Sequence, residues 1–368
     1  MAQKRMMWLD IAKGLAILLM VLGHCLDAST PLHDFIYSFH MPLFFLAAGF
    51  TMRAKPRRDV LASSARRLLV PYFVVSAILF AFAFVSPHSL DPDLDTQRAW
   101  PVVLVEISYA AGDKGDLFGH HFQAIGALWF LPCLFVARLI LNEILLRGAK
   151  LNGRPALQLA VEAAGVAAAT ALGIALGAHD RLPFDIDTAL VVTSFMFVGV
   201  LAKRYDLIHA PWFFWVLAAF VWFGYTVYGS GDIAERAYLD QPITLLTATA
   251  GSLVVMKGCL LFEQAADRLR LSALNRGLAW CGIVSLYILC VHRVESAVFN
   301  WQKIMQFFCP GVWNWDLTLQ GLYWFGLRIM LVLACTYVLN RLIKRGSALW
   351  RERRVNPPST PAGLQRAA

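Results

Sequence analysis

Trp8-Leu-Asp10-Ile-Ala-Lys13-Gly-Leu-Ala-Ile-Leu-Leu-Met-Val-Leu-Gly-His24 is an apolar run holding a carboxylate and a cation near its start and an imidazole at its end. Lys13 and His24 are eleven residues apart. In a helix that is close to three turns, so both lie on one face, about 16 Å apart along the axis. Ionisable side chains inside a membrane helix are expensive, and the default reading is a functional site facing a bundle interior. Asp10 and Lys13 break the apolar run and no small-x-small cleavage site follows His24, so the segment is expected to stay as an anchor rather than be removed as a signal peptide.

Runs of this kind recur along all 368 residues, which are 58% hydrophobic and 15% charged. No ordinary soluble domain has that composition. The fold class expected is all-α, a polytopic transmembrane bundle of about ten helices. The spans fall near 8–26, 35–52, 68–86, 124–146, 156–178, 187–202, 209–228, 241–262, 279–299 and 319–340. Residues 1–345 form one transmembrane domain, and 346–368 a basic cytoplasmic tail, disordered from Val355 through Pro357, Pro358 and Pro361.

Charge sets the orientation. With the N-terminus inside, 23 of the 33 Lys and Arg residues fall on inner segments and 5 on outer loops. The last 5, Lys13, Arg138, Lys257, Arg293 and Arg328, lie within spans. This separation follows the positive-inside rule and places both termini in the cytoplasm. The net charge of +9 is therefore a topology signal, and nothing else points to nucleic acid. Six of the seven cysteines lie in spans, so no disulfide framework is expected, and no zinc-ligand spacing occurs.

The outer loop at 87–123 is acidic and reads either as a solvated connector or as a lid over a substrate mouth. His24 falls roughly 24 Å along its helix, in the outer half of a core about 30 Å thick. It reads either as a general base or as a histidine at the headgroup interface. Asp10 and Lys13, at i and i+3, read either as part of the site or as a structural ion pair. His40 lies at the outer end of the second span, where Gly49 permits close helix approach. His292 and Glu295, one turn apart in Ser285-Leu-Tyr-Ile-Leu-Cys-Val-His292-Arg-Val-Glu295, reach the same outer depth. On the inner side, six basic residues lie between Arg53 and Arg67. Arg binds phosphate bidentately, so their partner is either anionic lipid or a soluble polyphosphate donor.

Five blocks in this order resemble the integral-membrane acyltransferase family 3, of the bacterial polysaccharide O-acetyltransferase and fucose 4-O-acetylase-like kind. They are Trp8 to His24, Phe39-His-Met-Pro-Leu-Phe-Phe-Leu-Ala-Ala-Gly-Phe50, Arg66-Arg67-Leu-Leu-Val-Pro-Tyr72, Ala127-Leu-Trp129-Phe-Leu-Pro132, and Ser285 to His292. The resemblance implies a bacterial inner-membrane enzyme. It implies acetyl-CoA as a cytosolic co-substrate rather than a bound cofactor, and transfer to a sugar hydroxyl of a glycan or lipid-linked sugar at the far face. On that reading His24 is catalytic, with Lys13 and Asp10 beside it. Arg66, Arg67, Arg58 and Tyr72 bind acyl-CoA, and His40, Trp129, His292 and Glu295 line the acceptor side. No metal is implied, and membrane lipids are the remaining partners.

Two features depart from the family pattern. Lys13 stands where Arg is usual, exchanging a fork of donors for a point charge. The second Arg of an Arg-x-x-Arg pattern on the third span is missing after Arg66-Arg67. Too few residues follow the last span for the C-terminal hydrolase-like domain of some relatives, so the acceptor is expected to come directly to the membrane cavity. The rival reading from another class is a proton-coupled secondary transporter, since intramembrane His, Lys and Glu also suit a proton relay. No internal repeat of the transporter kind is visible.

Overall fold

A computed structural model describes residues 5–85, 100–117, 120–151, 153–266 and 268–355. Residues 87–99 of the expected outer loop, with Arg98, lie outside these residues, as do Lys4 and the Pro-rich end with Arg366. The chain is an all-α bundle, as expected. Its helices are α1 (Met7–Gly23), α2 (Pro31–Tyr37), α3 (His40–Phe50), α4 (Arg57–Ser64), α5 (Val70–Val85), α6 (Trp100–Tyr109), α7 (Phe130–Ala149) and α8 (Pro155–Gly177). There follow α9 (Ile186–Arg204), α10 (Trp212–Phe223), α11 (Tyr225–Tyr228), α12 (Thr244–Ala266), α13 (Ser272–Ile283), α14 (Ser285–Val298), α15 (Trp301–Phe308) and α16 (Leu317–Val355).

Among the described residues six helices are long and apolar enough to cross a membrane, and α13 with α14 passes the same test as a pair bent by 72°. The other expected spans, 8–26, 35–52 and 209–228, are built from shorter pieces: α1 of 17 residues, α2 with α3, and α10 with α11. α16 differs from expectation at its end. It continues as helix through residues 346–355, expected in the tail, because Ala, Leu, Arg and Glu there favour helix. All seven cysteines are free.

Two close crossings hold α1 and α3 at the centre. A Cβ added at Gly14 would stand 1.9 Å from the Leu278 carbonyl oxygen of α13, and one at Gly282 1.8 Å from that of Asp10. A Cβ at Gly49 would meet the Met196 carbonyl at 1.8 Å, and one at Gly199 the Leu46 carbonyl at 2.1 Å. Glycine is required at these positions because backbone packs on backbone. The side chains around them, among them Ile11, Ile17, Leu43, Phe45, Phe195 and Met196, are almost fully buried.

Two irregularities shape the interior. The helix from Arg57 to Val85 carries a π-turn over Ala65–Leu69, which holds Arg66 and Arg67. Such turns are rare and often mark functional sites. The break between α13 and α14, flanked by Gly282 and Ser285, turns the chain by 72°.

The described part of the long loop expected on the outer side is built rather than free. It carries α6 and a two-stranded antiparallel hairpin, 115–117 with 120–122. Gly112 N–H donates to Asp185 Oδ2 at 2.8 Å, and Ile125 N–H to the Ala111 carbonyl at 3.0 Å. Asp113 stands 3.7 Å from Arg181, which also pairs with Asp185 at 3.0 Å.

Candidate functional site

A cavity of about 470 Å³ opens among α1, α3, α5, α7 and α14. Its inner end is lined by Lys13, Thr51, Arg66 and Arg67, its depth by Met20, Met41 and Phe130, and one wall by Ser285–Tyr287 at the helix break. The π-turn brings both arginines to its mouth. Lys13 pairs with Asp10 at 2.7 Å, and Asp10 also accepts from Arg5 Nε at 2.5 Å. The pair expected from the sequence thus forms, and its cation also lines the cavity.

The cavity stops short of the outer imidazoles by one turn. Met20 is in its wall, and His24 follows four residues later on the same face, its N–H bonded to the Met20 carbonyl at 3.1 Å. His24 caps the C-terminus of α1 and is exposed. Its ring lies 5.3 Å from that of His292, centroid to centroid, with the planes inclined by 33°. Arg328, His40 and His33 also act on it electrostatically.

Behind His292 stands a saturated carboxylate. His292 Nδ1–H donates to Glu295 Oε1 at 2.8 Å, which fixes the tautomer and leaves Nε2 as the lone-pair nitrogen. Arg328 donates to the same oxygen through Nε at 3.0 Å and Nη2 at 2.7 Å. The Trp301 indole donates to Oε2. Arg328 also lies over the Trp301 and Trp324 rings, 5.7 and 5.1 Å from their centroids, and reaches Cys25 Sγ at 3.7 Å. Both Glu295 oxygens thus accept from the protein's own side chains, and the Oε1 bond holds His292 in place.

The other expected residues separate. His40 is buried, donates Nδ1–H to the Ile36 carbonyl at 2.9 Å, and stands edge-on to Tyr37 at 4.8 Å. Trp129 is buried beneath Gly112, beside Phe45 and Phe130. Tyr72 is fully buried, and its hydroxyl donates to the Ile107 carbonyl at 2.5 Å, away from the cavity wall. Arg58 lies in a different, shallow groove with Pro56, Arg57, Glu143, Arg147 and Lys150. On the outer side, the charges of Asp232 and Glu235 bear on Tyr37, and burial pushes Asp232 up to about 6.

Sequence reasoning gave no role to Arg328, Trp301 or Cys25. The signal for Arg328 was present, since an arginine within an apolar span needs a buried partner. Its partner 33 residues away is a tertiary fact.

A family model for an acyltransferase domain matches residues 6–341, which takes in the cavity and the imidazole cluster together. The chain belongs to acyltransferase family 3. No curated protein and no solved structure matches it. The acyltransferase is a multi-pass membrane protein in which a cationic cavity mouth and an imidazole cluster share one bundle. Among its described residues no group of three or more His, Cys, Asp or Glu side chains is placed to hold a metal ion.

Proposed function

We propose that the acyltransferase moves an acetyl group from cytosolic acetyl-CoA to a sugar hydroxyl of a cell-surface or exported glycan at the extracytoplasmic side of the bacterial inner membrane. The observation that carries this is the line from the Arg66–Arg67 mouth, past Lys13 and Met20, to His24 one turn further on. It suits a long donor with phosphates at one end and a thioester at the other. The apolar walls at Met20, Met41, Leu134 and Phe130 suit the pantetheine arm.

In the transfer, an imidazole nitrogen of His24 takes the proton of the sugar hydroxyl. The hydroxyl oxygen bonds to the thioester carbonyl carbon, the carbon–sulfur bond breaks, and the CoA thiolate leaves and takes up a proton. His292, held by Glu295 and Arg328, orients His24 and shares the charge that develops there. Attack by His24 itself on the thioester is the other route, and it would release CoA in a burst without acceptor. The family match carries the enzyme reading over a transporter.

The test is donor turnover by the purified protein in nanodiscs, with glycan O-acyl content compared between cells with and without the gene. Acceptor-dependent release of CoA and a gene-dependent O-acyl group are expected. No turnover of acetyl-CoA under any acceptor, with unchanged glycan acylation, overturns the proposal.

A further inference from the structure

Arg138, to which the sequence gave no role, lies just beyond the cavity wall. It lies on α7, one turn beyond Leu134, and Leu134 is in the cavity wall. Residues four apart on a helix share a face, so Arg138 continues the face that lines the cavity, one turn past its wall. Its Nε donates to Ser64 Oγ at 3.1 Å, at the foot of the π-turn, and the charge of Arg67 acts on it. Arg138 is half-buried, whereas Arg66 and Arg67 are exposed at the mouth.

Four other cations of the bundle each have a carboxylate partner. Lys13 pairs with Asp10 at 2.7 Å, Arg181 with Asp185 at 3.0 Å, Arg204 with Glu162 at 2.6 Å, and Arg328 with Glu295 at 2.7 Å. Among the described residues, no carboxylate lies within 4.0 Å of Arg66, Arg67 or Arg138. Holding like charges together at a partly buried site costs free energy that an anion between them would offset. The anion that matches planar forked donors from two helices is a phosphoryl group.

We infer that Arg138, with Arg66 and Arg67, forms a phosphate site at the cavity mouth, and that it holds the diphosphate of the acyl-CoA donor. This rests on the donor reading above. The diphosphate is the phosphate group nearest the pantetheine arm, so it is the one that reaches the mouth when the arm fills the cavity. The 3′-phosphate, on the nucleotide, stays further out. A phospholipid headgroup offers the same chemistry, and the assay separates the two.

The experiment measures binding of CoA, 3′-dephospho-CoA and pantetheine to the full-length protein in phosphatidylcholine nanodiscs, with and without phosphatidylglycerol. Arg138→Ala is expected to weaken CoA and 3′-dephospho-CoA alike, by about tenfold or more, the size of one lost hydrogen bond to a charged group. Pantetheine binding should stay at the parental level in the variant, which also reports an intact cavity. Arg138→Lys should recover part of the loss. Parental affinity for CoA in Arg138→Ala, in either lipid, overturns the site as a donor site and leaves the lipid headgroup as its ligand. Equal loss of pantetheine overturns it in favour of a packing role for Arg138. If the parent protein binds no CoA at all, the donor reading itself has failed, and this site with it.

Discussion

His24 and His292 face each other with ring centroids 5.3 Å apart, and only His292 has its Nδ1 tied to a carboxylate. One imidazole is thereby fixed in tautomer and orientation while the other is left exposed. On the function proposed above, this asymmetry suits His24 to the chemistry and His292 to its support, with Glu295 and Arg328 behind it.

His24→Ala should abolish acyl transfer while the protein still inserts and folds. Loss of a general base costs about 10²–10⁴ in rate. The check is acceptor-dependent CoA release by a variant whose expression and gel-filtration profile match the parent. Parental turnover would return His24 to an interfacial role.

Removing one member of the Glu295–Arg328 pair should be worse than removing both. Arg328→Ala or Glu295→Ala leaves an uncompensated buried charge, at a cost of about 3–5 kcal/mol. The double variant removes both charges, so its thermal unfolding should fall above that of either single variant. Simple additivity would mean the pair is solvated in solution.

Asp232 gives a pH-dependent handle. Burial raises its pKa from 3.8 in the unfolded chain to about 6. The folded chain therefore holds this proton more tightly. Above pH 6 the ionised carboxylate lowers stability, and toward pH 4 that penalty disappears. Asp232→Asn, which still accepts from Ala234 N–H, should raise the melting temperature near pH 7.5 and not near pH 4. A gain of equal size at both pH values would show that ionisation is not its cause.

Gly49→Ala should separate α3 from α9, since its new Cβ would lie 1.8 Å from the Met196 carbonyl, which is backbone and cannot turn aside. A large fall in thermal stability is expected. Gly258→Ala, with nothing within 4 Å of the added carbon, is the matched control and should be close to neutral. The two can be compared by fluorescence-detected gel filtration after heating.

Topology can be read from single cysteines at 59 and 114 in separate variants lacking Cys309 and Cys335. Asp59 is exposed on α4 and Lys114 in the outer loop. The distribution of Lys and Arg, 23 inside against 5 outside, leads us to expect opposite labelling by a membrane-impermeant maleimide. Labelling from one side would remove transfer across the membrane from the proposed mechanism.

The sequence by itself determined the fold class, because apolar runs near 20 residues can satisfy their backbone in lipid only as helices. It also singled out Lys13, His24, His292, Glu295 and the Arg66–Arg67 pair, since ionisable groups in such a setting are costly enough to stand out. It did not fix which of them meet. That Glu295 is spent on Arg328 and Trp301, that Tyr72 turns to Ile107 rather than to the cavity, and that Arg138 reaches Ser64 at the foot of the π-turn all depend on helix rotations and crossings. Those were decided by backbone contacts at Gly14, Gly49, Gly199 and Gly282, by the π-turn at Ala65–Leu69 and by the 72° break before Ser285. Hydrophobic periodicity carries little rotational information where one helix face meets lipid and the other an equally apolar neighbour. Steric fit between backbones, a property of the assembled tertiary structure, sets the angle instead.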